Sequence, residues 1–151
     1  MSQTNISLIC AVLACAGCDY RDGSVTSTML ANELMSVCLT SQTLVAEVSP
    51  LNSDNTPVIS NAFQKAFAEQ HWERFRTTTD DSRVRCEMYH GPVFEAEVFM
   101  IPLDEESGLI LIDGRSHDGS IRGFVDAAWR TKNSRIVITG VTFVNLPRVQ
   151  T

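Results

Sequence analysis

The densest chemistry in the sequence sits at residues 113–120, which read Asp-Gly-Arg-Ser-His-Asp-Gly-Ser. Two carboxylates, Asp113 and Asp118, stand beside the Arg115 guanidinium, the His117 imidazole and two hydroxyls, all flanked by glycines. Such a set can act as a general base or hold an anion. The same residue types also make ordinary turns. The pattern therefore predicts a polar contact loop, with Asp113, Arg115, His117 and Asp118 as its binding residues. A second group, Glu95, Glu97, Asp104, Glu105 and Glu106, forms an acidic strand and turn. Glu95, Glu97 and Phe99 alternate onto one side of that strand, an apolar spot in a charged field suited to docking.

Metal and nucleophile chemistry have weaker support. The histidines are His71, His90 and His117, and the only close pair is Cys86-x3-His90. On a strand those two positions share a face but lie roughly 13 Å apart. No metal site and no cofactor are expected. Cys10-x4-Cys15-x2-Cys18 has iron–sulfur spacing, but it lies in a run of Ala, Val and Leu rather than an open loop. A Cys86–His pair lacks local support because Cys86 alternates onto the apolar side of its strand. No phosphate loop, dinucleotide fingerprint, Gly-x-Ser-x-Gly elbow or His-Glu-x-x-His occurs. The chain is read as non-enzymatic.

The elements that must position these residues follow from periodicity. Val25, Met29, Leu30, Leu34, Val37 and Cys38 recur at helical spacing behind Ser24 or Thr26 as cap. Residues 43–48 are read as a short strand and residues 50–57 as a loop. Ser60 caps a Phe-rich helix predicted to run to Arg76, with Phe63, Ala66, Phe67 and Phe75 on one face. From Arg83 the period becomes two. Val84, Cys86 and Met88 are assigned to the apolar face of the first strand. Strands at residues 94–100, 109–112, 121–130 and 135–145 complete a five-stranded antiparallel meander. Helices followed by such a meander make an α+β fold packed on the Phe-rich helix. This order is similar to cystatin-like and NTF2-like folds, whose curved sheet wraps a helix. The resemblance implies a concavity that can take a small molecule, with Trp72 and Trp129 as lining or as core aromatics.

Composition bounds the function. The 151 residues are 44% hydrophobic and 20% charged, ordinary for a folded domain. The net charge of -6 argues against direct nucleic-acid binding. Residues 1–70 hold two basic and six acidic residues, whereas Arg dominates the basic residues of the second half. No apolar run reaches the length of about 18 residues that a transmembrane helix needs.

The first 23 residues leave two readings open. Residues 6–17 are apolar apart from Ser7, which suits a buried helix of an α-hairpin closed by a turn at residues 19–23. Val12-Leu13-Ala14-Cys15 and Cys15-Ala16-Gly17-Cys18 resemble the lipobox of bacterial lipoproteins. That resemblance implies lipidation at Cys18 or Cys15, a membrane anchor in the envelope, and a disulfide between Cys38 and Cys86. Residues 1–5 carry no Lys or Arg, unlike a secretory n-region. The retained, cytoplasmic reading is preferred, with residues 24–151 a single domain. The function expected is binding of another protein or self-assembly through the polar sheet face and the 113–120 loop. A lipid-anchored envelope protein and a small-molecule or enzymatic pocket are the alternatives.

Overall fold

A computed structural model describes residues 25–146. Two helices come first and six strands follow: α1 (Ser27–Ala46), α2 (Thr56–Glu69), β1 (Glu73–Thr79), β2 (Arg85–His90), β3 (Phe94–Pro102), β4 (Ser107–Ser116), β5 (Arg122–Lys132) and β6 (Arg135–Asn145). The strands form one antiparallel meander in the order β1-β2-β3-β4-β5-β6. The protein is α+β, with six strands rather than five. The lipobox-like cysteines Cys15 and Cys18, and the first helix and turn of the expected hairpin, lie outside the described residues.

Helix α1 starts where the Thr26 Oγ1 accepts the Met29 N–H at 3.2 Å. Its buried stripe of Met29, Leu30, Leu34, Val37, Cys38, Ser41 and Val45 continues through residues 43–46, which were expected to begin a strand. The buried residues at 34, 37, 38, 41 and 45, apolar except for Ser41, keep the helical period, and burial of that stripe overrides the local strand preference of Thr43-Leu44-Val45. Asn55 ties the next loop down. Its Oδ1 accepts from the Leu51 N–H at 2.7 Å, and its Nδ2 donates to the Glu105 carbonyl at 2.9 Å.

Helix α2 ends at Glu69, short of Arg76. His71 takes a left-handed backbone, φ 66°. The Trp72 N–H then donates to the Phe67 carbonyl and the His71 N–H to the Ala68 carbonyl, both at 3.0 Å, a Schellman closure. Trp72 is buried against Phe67 with ring centroids 5.1 Å apart, the apolar contact that accompanies this cap. The chain then leaves as β1, where Thr77-Thr78-Thr79 suits a strand. This edge strand is the sixth.

Both helices lie on one face of the sheet. Helix α1 crosses β4, β5 and β6, and α2 reaches β1 and β3. Between helices and sheet sit Phe63, Phe67, Trp72, Tyr89, Phe94, Val98, Ile110, Ile112, Val125, Trp129 and Ile138. Phe67 stacks on Tyr89 at 4.1 Å. Trp72 and Trp129 are therefore core residues, and side chains fill the space where a concavity was expected. Gly108 faces Trp129 across the β4–β5 pair, and a Cβ there would fall 2.0 Å from the indole ring.

Strand β2 inverts the expected alternation. Glu87 and Tyr89 face the helices and are buried, whereas Cys86 and Met88 point the other way and are half-buried. The inversion follows from register: Tyr89 lies opposite Ala96 and Glu87 opposite Val98, both core residues. Cys38 and Cys86 are both free thiols, one in the core and one on the opposite side of the sheet, so the expected disulfide is not formed. Strand β4 is also longer than expected. It runs from Ser107 to Ser116 and takes in Asp113 and Arg115, leaving only a short turn of the expected 113–120 loop.

Candidate functional site

The face of the sheet turned away from the helices is covered by none of the described elements. Pairing fixes what it carries. His90 lies opposite Glu95, Glu95 opposite Arg115, Glu97 opposite Asp113, and Arg115 opposite Arg122. Arg115 approaches Glu95 and Glu97, each at 3.7 Å. Arg122 Nη2 donates to Asp113 Oδ2 at 3.0 Å. His117 Nδ1 meets Glu95 Oε2 at 3.0 Å. Five of the residues singled out in the sequence, Glu95, Glu97, Asp113, Arg115 and His117, thus form one row of ion pairs and hydrogen bonds. The His117 hydrogen bond, with Arg115 nearby, holds the Glu95 carboxyl below its usual range.

The sixth, Phe99, begins an apolar stripe beside that row. Phe99 pairs with Leu111 and with Cys86, Ile101 with Leu109, and Leu109 with Ala128. All are half-buried although no described element lies over them. The sequence placed the polar residues but not this stripe, because residues 109–112 all count as apolar and only the register shows which two face outward.

Asp118 does not join the row. Its Oδ1 accepts from Ser116 Oγ and Ser120 Oγ, each at 2.7 Å, and from the Ser120 N–H at 3.0 Å. These donors favour the carboxylate and pull its pKa down to about 2. Gly119 completes the turn with φ 77°, and Asp118 serves that turn. Ser116, His117, Asp118, Ser120, Val25 and Val93 line an open depression at this end of the sheet.

Sequence reasoning missed two groups. One is His90, whose ring lies 5.1 Å from that of His117. The Gly91-Pro92 break closes a tight hairpin that sets residue 90 against residue 95, and that spacing was a readable signal. The other is Glu87, fully buried on the helix side. Ser60 Oγ, Arg74 Nη1 at 3.3 Å and Arg85 Nε at 2.6 Å donate to its Oε2, and the Tyr89 hydroxyl donates to its Oε1 at 2.6 Å. Arg85-x-Glu87-x-Tyr89 puts all three on one face of a strand, a pattern visible in the sequence. Burial, followed by the Glu87 hydrogen bond, drives the Tyr89 phenol well above its ordinary range, so it stays a donor.

Cys86 is not set up as a nucleophile. Burial first, and then the Glu97 carboxylate 3.8 Å away, raise its pKa and disfavour the thiolate. Among the described residues no helix is long and apolar enough to cross a membrane. No family model, curated protein or solved structure matches this chain.

Proposed function

We propose that this protein acts by docking through the open face of its sheet, and that a second copy of the chain is the occupant that the face fits best. The observation that carries this reading is the apolar stripe of Phe99, Ile101, Leu109 and Leu111, which no described residue covers and which charges of both signs border. Four carboxylates on this face, Glu95, Glu97, Asp113 and Asp126, stand among three arginines, Arg115, Arg122 and Arg130. A face of mixed, nearly balanced charge offers little to a strongly acidic or strongly basic partner. A mixed-charge face can meet its own copy across a two-fold axis, the arrangement that an isologous interface requires.

The area is adequate. Six strands of 6 to 11 residues, at spacings of about 4.8 Å and about 3.4 Å per residue, give roughly 25 by 30 Å, or about 750 Å². A standard interface buries about 800 Å² per partner. Apolar contact would supply the affinity and the paired charges would set register.

Sedimentation over a range of concentrations tests this. The parent chain is expected to associate to a dimer, and Leu111→Arg, at the centre of the stripe, to remain monomeric with an unchanged circular dichroism spectrum. A parent that stays monomeric up to about 100 μM, well above typical interface dissociation constants, refutes the reading.

A further inference from the structure

We infer that His90, Glu95 and His117 bind a divalent transition-metal ion, with zinc the best fit. Three separate pieces of backbone deliver the donors. His90 ends β2, Glu95 lies directly across from it on β3, and His117 follows β4, two residues beyond the partner of Glu95. One ligand atom from each residue lies within 4.8 Å of the other two. His117 Nδ1 and Glu95 Oε2 are already 3.0 Å apart. Zinc bonds of about 2.0–2.1 Å in tetrahedral geometry put donors about 3.4 Å apart. Bringing His90 to that distance needs a side-chain movement of about 1.4 Å at most, and His90 and His117 are both exposed and free to make it.

The donor types point the same way. Two borderline imidazoles with one hard carboxylate suit zinc, copper, nickel, cobalt or ferrous iron rather than calcium or magnesium, which prefer oxygen alone. Neighbouring side chains flank two of the ligands. The Phe75 ring meets His90 edge-on at 6.0 Å, and Arg115 sits 3.7 Å from the other oxygen of Glu95. The hydrogen bond between His117 and Glu95 gives way to two metal bonds, and any proton on the coordinating nitrogen passes to solvent. Three protein donors leave a position open to water, as in sites that exchange a ligand.

Zinc chloride titrated calorimetrically into the chelator-treated full chain tests the assignment. Cys10, Cys15 and Cys18 are replaced by Ser in every sample, so that their thiols contribute nothing. The parent is expected to take one zinc per chain saturably. His90→Ala and His117→Ala should each weaken binding by tenfold or more, and His71→Asn should leave it unchanged. The ligand positions are at the surface, so circular dichroism should show the same fold in every variant. The inference is overturned if the parent shows no saturable uptake, or if either His90→Ala or His117→Ala keeps the parent affinity.

Discussion

Replacing Glu87 by Ala should cost about 4 kcal/mol of stability. The carboxylate has no exposed surface, and it accepts from Ser60, Arg74, Arg85 and Tyr89. Removing it leaves the Tyr89 and Ser60 hydroxyls, on residues 1% and 4% exposed, without their acceptor. Each buried orphan costs about 1–3 kcal/mol. The guanidiniums of Arg74 and Arg85 are about a quarter exposed and keep part of their hydration, so they contribute less. Breaking a buried ion pair by deleting one partner costs about 3–5 kcal/mol, and the two routes agree. Against a total stability of about 5–15 kcal/mol this is a large loss. Urea unfolding followed by the fluorescence of Trp72 and Trp129, both in the core, reads it directly. Tyr89→Phe removes the orphan hydroxyl in advance. The Glu87→Ala and Tyr89→Phe double variant should therefore fall short of the sum of the singles by about 1–2 kcal/mol. A loss below about 1 kcal/mol for Glu87→Ala, or strict additivity in the cycle, refutes the account of Glu87 as the acceptor that holds β1, β2 and α2 together.

Two further outcomes follow from local geometry. Gly108→Ala puts a methyl 2.0–2.4 Å from the Trp129 ring, so the indole or the β4–β5 pair must shift. A loss of about 1–3 kcal/mol is expected in the same unfolding assay, and an unchanged midpoint would show that Trp129 has room to move. The Asp118 turn should hold in acid. A depressed pKa means that its contribution is present above the ordinary aspartate range and is lost only as pH falls through about 2. The Ser120 amide resonance should therefore titrate with a midpoint near 2, and a midpoint near 4 would show that the three hydrogen bonds to Asp118 do not form in solution.

How far the sequence could be read depended on whether a pattern was local. The α1 stripe and the outward and inward residues of β5 follow a period that the chain itself displays. Gly123, Val125, Ala127 and Trp129 are all buried, as their alternation implies. The reading failed where a distant contact decided. Nothing local says that the helix at residues 56–69 must stop, since Phe75 extends its apolar spacing. The stop comes from Trp72 folding back on Phe67, and the residues beyond then pair with β2. In β2, hydropathy favoured Cys86 and Met88 as core. Glu87 took the inward face because two arginines, a serine and a tyrosine satisfy it there, and hydropathy is blind to such compensation. The site was half legible for the same reason. Glu95, Glu97, Asp113, Arg115 and His117 stand out as types, but His90 joins them only through the hairpin register.

The two faces of the sheet use charge in opposite ways, and the contrast bears on docking. On the helix side, Glu87 is buried beneath Arg74 and Arg85, so its bonds cannot be exchanged without opening the core. On the open side, Arg115 meets Glu95 and Glu97 at 3.7 Å each, long contacts between side chains 26% to 37% exposed. Pairs of that kind are worth about 0–1 kcal/mol to the fold. They can therefore be broken and remade against an incoming surface at little cost to stability. Leu109 and Leu111 sit on the central strand β4, whose fixed backbone spares an incoming surface the cost of ordering the residues it contacts. Stability is thus concentrated on one side of β2–β5, and the exchangeable contacts that an interface needs on the other.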